Sequence, residues 1–441
     1  MPPNQYPATK SNHLPLPSAV RILEYVCQVV FGLFILLSAF SIAFSQVALG
    51  LAMVAGLVLW IIKRPPLSRA ARLVLVTAGL YTAWMVLAAV MGERPWESLG
   101  AIREDWLFLI IPLGLLLMAE ERPTRRLATV LTVALLLMGL YGIIQHFTGL
   151  YLFKSGNLHT AGDEFRISGG FSHPLTYGNY LATATLFVCA YGVAIFRTAP
   201  PWRRWLTVAA GVCGLVTVAL CNSRGPMLST AVGLIVLGSF SRRFIYGLVV
   251  VILTGLVFAL VSPQVAEVFT SRVERDLNVE QPNSRLFIWN TALKVVWSSP
   301  LTGVGAANFG RTYVKHLPPE MGAEHEQGHA HNDFLHTAAI AGLPGLAFFG
   351  ALWVVVIRQF WRSWRDCSLS PPARALILAA LMGTVTFLST SMTEATFTDE
   401  EVRQLLMLLW AFGLSALVWG SAQSSSHNAA DVSGRGDVRS S

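Results

Sequence analysis

The chain has 441 residues, 54% of them hydrophobic and only 13% charged, with a mean hydropathy of +0.55. A soluble domain carries about 25% charged residues, so these numbers exclude a soluble globular protein and predict an all-α polytopic membrane protein. The net charge of +8 and the pI near 9.4 do not indicate a nucleic-acid partner, because the basic residues are spread over many loops rather than gathered on one face.

Residues 1–18 are polar and Pro-rich, which predicts a disordered cytoplasmic N-terminus with no cleavable signal peptide before the first apolar run. A helical span needs about 20 apolar residues. Twelve stretches qualify: 20–41, 43–62, 71–91, 100–119, 127–148, 174–196, 205–221, 226–240, 244–262, 333–357, 373–392 and 402–420. Only Ser41, Ser45 and Gln46 divide the first two. Residues 19–261 then hold spans one to nine, 262–330 form one long hydrophilic loop with short helices, and 331–420 hold spans ten to twelve. The Ser-rich segment 421–441 reads as a disordered cytoplasmic tail.

Orientation follows from basic residues, which stay on the cytoplasmic side. Alternate loops hold Lys63, Arg64, Arg69 and Arg72, then Arg122, Arg125 and Arg126, then Arg197, Arg203 and Arg204, then Arg242 and Arg243, then Arg358, Arg362, Arg365 and Arg374. The loops between them are mixed or acidic, with Glu93, Glu97, Glu104, Asp105, Asp163, Glu164, Asp399, Glu400 and Glu401. The alternation predicts cytoplasmic termini and places 262–330 on the outer, periplasm-like side. The five cysteines lie in or beside spans without a Cys-x-x-Cys pair, and their odd count argues against a disulfide framework.

The outer loops carry the chemistry. Arg166 to Asn179 is rich in glycine and hydroxyls and places Arg166, His173, Tyr177 and Asn179 at the mouth of a span, where interface anchoring is the competing role. In Cys221-Asn222-Ser223-Arg224-Gly225-Pro226 a short turn holds Arg224 at membrane depth. An ionisable group there is costly and marks function, unless the arginine merely snorkels to headgroups. The long loop carries Arg272, Arg275, Arg285 and Arg311. Ser284 is a good N-cap for a helix from Arg285 to about Ser298, with Leu286, Trp289, Leu293 and Val296 as a one-sided apolar stripe. Arg285 falls in its first turn, against the helix dipole; a functional role and a solvated one both stay open.

Leu301 to Gly310 is glycine-bearing but matches neither Gly-x-Gly-x-x-Gly nor a Walker A loop, and reads as a turn after Pro300. His325-Glu326-Gln327-Gly328-His329 matches His-Glu-x-x-His, yet Pro318, Pro319, Gly322 and Gly328 oppose the helix that zinc ligation needs. His331-Asn332 then precedes an apolar run. Asn332 suits an N-cap, so His331 stands at the positive end of a helix, where the field disfavours a cation. It is a candidate general base, against the simpler role of a histidine facing water. Gly342, Pro344 and Gly345 should bend that helix.

Over about residues 20–420 the chain resembles the O-antigen ligases of Gram-negative bacteria (WaaL type), within the O-antigen ligase/polymerase superfamily. The resemblance rests on Arg166…Gly170-Phe171…Asn179, Ser223-Arg224-Gly225, Arg285 with Trp289, Gly303-x-Gly305…Asn308-Phe309, and His331-Asn332-x-x-Leu335…Gly342. It implies a GT-C-type glycosyltransferase in the bacterial inner membrane with a periplasmic active site. It further implies transfer of O-antigen polysaccharide from undecaprenyl diphosphate to a sugar hydroxyl of lipid A–core, with inversion and without cofactor or metal. On that resemblance Arg224 and Arg285 hold the diphosphate and His331 activates the acceptor hydroxyl. Arg166, His173, Tyr177, Asn179 and Asn332 are further substrate-binding candidates. Within the superfamily, an O-antigen polymerase or a protein O-oligosaccharyltransferase would show similar motifs. Outside it stand a lipid-linked glycan transporter, which should show midplane charges and repeats, and a zinc membrane peptidase.

Overall fold

The computed structural model describes residues 17–65, 67–152, 160–161, 164–165, 167–240, 281–282 and 284–436, with side chains as far as 421 except at 160–161 and 164–165. The span expected at 244–262, the first part of the long loop, and Arg166, Arg272 and Arg275 lie outside the described residues.

Helices α1 (Ser18–Leu37) and α2 (Ile42–Lys63) form an antiparallel pair joined by a tight turn, with Lys63 Nζ 2.6 Å from Glu24 Oε1 where their far ends meet. α3 (Arg69–Met91) opens on Ser68, whose hydroxyl accepts from Ala71 N at 3.1 Å. The span expected at 100–119 is not one helix. It is built from α4 (Pro95–Ala101), a 3₁₀ turn (Arg103–Leu109) and α5 (Ile110–Leu117). Pro112 cannot donate to the preceding turn, and Asp105 is turned inward to pair with Arg403, so the apolar run is interrupted.

α6 (Glu121–Thr148) ends at Gly149, which takes the left-handed conformation at φ +66°. A two-stranded antiparallel pair, Thr160–Ala161 with Glu164–Phe165, follows. Next come α7 (Pro174–Ile195), α8 (Pro201–Leu220), α9 (Arg224–Ser239), α10 (Arg285–Ser298), α11 (Phe309–Lys315), α12 (Asp333–Arg365), α13 (Pro371–Ser391) and α14 (Glu400–Gly436). Among the described residues nine helices are long and apolar enough to cross a membrane, where twelve spans were expected. The deficit is the broken 100–119 stretch, the short helix α9, and the undescribed 244–262. α9 has 16 residues. A helix of that length rises only about 24 Å. The backbone is helical to Gly436, although composition predicted a disordered tail from 421.

α7, α13 and α14 are the most enclosed spans and form the centre of the bundle. α12 breaks at Gly342, where φ is +70°. Glycine reaches that conformation at no steric cost. The freed backbone groups are satisfied by the glycine segment ahead of α11. Val304 N donates to Ala339 O at 2.9 Å, Gly305 N to Ile340 O at 3.0 Å, and Leu343 N to Pro300 O at 2.8 Å. Trp84 Nε1 covers Ala341 O at 2.8 Å. A Cβ at Gly303 would collide with the backbone of Ile340 and Ala341. The sequence Gly303-Val304-Gly305 is therefore a joint that mends a broken membrane helix, as irregular backbone at that depth requires.

Candidate functional site

The starts of α7, α9, α10, α12 and α14 and the end of α13 meet at one end of the bundle, opposite the Arg-rich ends of α6, α8 and α12. Asn332 fixes the first of these ends. Its Oδ1 accepts from Leu335 N at 3.0 Å and caps α12, and its Nδ2 donates to Met392 O at 2.9 Å, fastening α12 to the end of α13. One residue earlier, His331 has φ +48°, an uncommon conformation outside glycine. Both of its peptide groups are held there. Its N–H donates to His329 Nδ1 at 3.3 Å, and its carbonyl accepts from Trp289 Nε1 at 3.3 Å.

The His331 ring is fixed as well. Its Nδ1 lies 2.9 Å from Glu394 Oε2. Glu394 is buried, and its other oxygen accepts from the Arg285 guanidinium. Arg285 reaches it from the first turn of α10, where Ser284 Oγ accepts from Phe287 N at 3.1 Å as the cap. Arg224 is exposed at the start of α9, and the next residue, Gly225, packs beside Glu394: a Cβ built there lies 3.4 Å from Thr393 Oγ1 and 3.5 Å from Glu394 Cγ. One carboxylate thus orients the histidine on one side and the arginine on the other. Little in the sequence singles out Glu394. Its signal was a lone acid just past an apolar run, and nothing local tied it to a histidine 63 positions earlier.

His329 packs edge-on against His331 with ring centroids 4.2 Å apart. Burial, then the proximity of His331, pushes its pKa down to about 4, against the pull of Glu394. A neutral His329 ring can accept the His331 N–H. His336 lies on the other side of His329, with ring centroids 6.4 Å apart, buried against the Phe309 ring at 4.9 Å, with no hydrogen-bond partner for Nδ1 among the described residues. His173 is exposed at the start of α7 and accepts from Leu175 N at 3.2 Å. Tyr177 is fully enclosed, wedged against Gly142 and Gly169, and donates to Met138 O at 2.8 Å. Asn179 is buried two positions further along α7, with neither amide atom partnered among the described residues. The structure therefore gathers Arg224, Arg285, His331, Asn332 and His173 at the site, and places Tyr177 and Asn179 in the core beneath.

One sequence reading changes and another holds. The apolar stripe expected on α10 is not its buried face. Phe287, Ile288, Thr291, Ala292, Val295 and Val296 are buried, while Leu293 is exposed and Leu286 and Trp289 are half-buried. Small Thr291 and Ala292 let α10 approach α12 closely, and a count of large apolar residues overlooks them. The His325–His329 segment is not helical, as Pro318, Pro319, Gly322 and Gly328 predict. A single 3₁₀ turn (Ala323–His325) ends at its first histidine, and Glu326 turns toward Gly310. The two histidines do not share a helix face, so the geometry of a zinc-peptidase site is not formed here.

No curated protein matches the chain. Residues 208–350 match the family described as O-antigen ligase. The matched region runs from α8 into α12 and contains Arg224, Arg285 and His331. The match covers about a third of the chain, in a protein whose described residues hold nine helices of membrane-spanning length.

Proposed function

We propose that the protein transfers O-antigen polysaccharide from undecaprenyl diphosphate to a sugar hydroxyl of lipid A–core, at the periplasmic face of the bacterial inner membrane, with both termini cytoplasmic. The observation that carries this reading is the Arg285–Glu394–His331 arrangement. With Nδ1 donating to Glu394, the neutral ring leaves Nε2 as its proton acceptor. The acceptor hydroxyl gives its proton to Nε2 as its oxygen bonds to the anomeric carbon. The bond from that carbon to the diphosphate oxygen breaks on the opposite face, which inverts configuration.

The leaving diphosphate gains charge as the bond breaks, and Arg285 and Arg224 oppose it. Preorganised positive groups are worth most where charge develops. An arginine fork matches phosphate oxygens two at a time. Glu394 acts as a positioning residue for both partners. In this reading the chain's own residues supply base and electrophile, without metal or cofactor.

The test is transfer by purified protein in the presence of EDTA, with diphosphate-linked glycan as donor and lipid A–core as acceptor. Product on lipid A–core supports the ligase. Chain extension on a second lipid-linked glycan instead would make the protein a polymerase, and loss of transfer in EDTA would overturn the metal-free mechanism.

A further inference from the structure

The geometry points to residues 285–305 as a re-entrant hairpin sunk into the leaflet on the site's side, with the Leu293–Trp297–Leu301 face against the acyl chains of the bilayer. The sequence places this segment in a hydrophilic loop, and the inference does not depend on the reaction proposed above.

Three observations carry it. The first is the path. α10 starts beside the site, where Trp289 bonds the His331 carbonyl. It ends beside the break in α12, where Pro300 O accepts from Leu343 N. The chain then turns back through Val304 and Gly305, and by Phe309 it is again level with His336. The descent and return both run alongside residues 331–343 of α12.

The second is depth, measured from the basic end of the bundle. Leu343 and Arg358 are joined by unbroken helix. Their separation of fifteen positions corresponds to about 22 Å of helical rise. Independently, Trp84 bonds Ala341 O and stands twelve positions after Arg72 in α3. That separation corresponds to about 18 Å. An apolar slab is about 30 Å thick, so both marks leave roughly 8 to 12 Å of hydrocarbon above the Pro300–Leu343 contact.

The third is the exposed face. Leu293 and Trp297 stand one turn apart on α10 and Leu301 follows in the turn beyond its end, with relative exposures of 45%, 67% and 71%. Leu343, on the adjoining surface of the membrane helix α12, is 42% exposed. The apolar face of α10 therefore continues a lipid-facing surface. Lys294 is exposed beside it and long enough to carry its ammonium to the headgroups. The backbone of the hairpin is satisfied by α12, which is what permits a non-spanning segment at this depth.

Single cysteines at Leu293, Trp297 and Leu301, in a Cys367→Ser background, would be spin-labelled in phosphatidylcholine/phosphatidylglycerol vesicles. Collision with oxygen should exceed collision with the aqueous nickel complex NiEDDA several-fold at 297 and 301, and less so at 293. Greater NiEDDA access at 297 and 301 would place the face in water and overturn the proposal. Shielding from both reagents would show that protein covers it, and overturns the proposal equally. Should the labelled variants not fold, Trp297→Phe decides. The emission lost relative to wild type should be quenched by acyl-brominated lipid and not by iodide, and the reverse refutes the hairpin.

Discussion

Two arginine–carboxylate pairs stand on either side of one short segment, and only one of them is open. Arg403 and Asp105 lie 2.5 Å apart with side chains 4% and 8% exposed, and the guanidinium is closed in by the rings of Phe397 and Phe108 at 4.2 and 5.0 Å. Arg285 pairs with Glu394 at the mouth of the bundle, 27% exposed, and Glu394 is shared with His331, itself 19% exposed. The same ion-pair chemistry is sealed in one place and shared in the other. A sealed pair fixes the 3₁₀ turn at 103–109 against α14. A shared carboxylate leaves its arginine with donors for an incoming anion and sets the tautomer of its histidine. Accessibility and a third partner, rather than the presence of an ion pair, distinguish a site from a strut.

The comparison breaks first at His331. His331→Ala should lower transfer by about 10³-fold or more, the range that general-base loss combined with mispositioning reaches. Binding of donor and thermal stability should hardly change, because the ring's packing partner His329 and the cap Asn332 remain. His336→Ala should retain transfer. Radiolabelled-glycan transfer alongside donor binding decides it, and an inactive His336→Ala with an active His331→Ala would move the site.

At the sealed pair the expected loss is of stability. Asp105→Ala leaves the Arg403 charge buried without its carboxylate, which costs about 3–5 kcal/mol. The measurable result is a lower melting temperature in detergent, with transfer per folded molecule little changed. Asp105→Leu combined with Arg403→Leu should recover much of the loss, since an apolar replacement of a buried pair is often neutral. A folded but inactive Asp105→Ala would show that the two pairs are one functional unit.

Arg285→Ala and Arg224→Ala should each lower transfer by about 10²-fold, corresponding to roughly 3 kcal/mol of transition-state stabilisation. Lysine at either position should rescue only in part, because a point charge does not reproduce the fork. If Arg285 behaves instead as Arg403 is expected to, its loss will appear as a lower melting temperature at unchanged turnover.

Much of this architecture was legible in the chain. The apolar runs marked most spans, and the Ser284 and Asn332 caps are where residue type placed them, because an N-cap is a local device. The site's arginines and its histidine were legible as polar residues at span mouths. Glu394, the residue that joins them, was not, since its role exists only once α12 and α13 are fastened together through Asn332 and Met392. The break at 100–119 was hidden for a similar reason: Asp105 is tolerable there only because Arg403 arrives from α14. Composition also hid the buried face of α10, where small Thr291 and Ala292 stand among Phe287, Ile288, Val295 and Val296, while Leu293 and Trp297 point outward.

Between the two pairs lie groups whose protonation gives a finer test. Asp399 accepts from Thr176 Oγ1 at 3.2 Å, yet burial, followed by the charge of Glu401, pushes its pKa up to about 7. A raised acid binds its proton more tightly in the folded state, so its contribution to stability falls as pH rises from about 4 to about 7. His329 runs the other way. Its pKa is held down at about 4, so the unfolded chain takes the proton first as pH falls below about 6.5, and stability rises with pH across nearly the same window. In the wild type the two slopes oppose each other. Asp399→Asn should expose the His329 slope, with a melting temperature that climbs from pH 4 to 6.5 and exceeds wild type at pH 8. His329→Asn should expose the Asp399 slope, with a melting temperature that declines from pH 4 to 7. Melting curves at half-unit pH steps read both. If Asp399→Asn instead lowers stability at pH 8, the fold stabilises the Asp399 carboxylate rather than opposing it, and the boundary between the open site and the closed strut lies further out than this geometry places it.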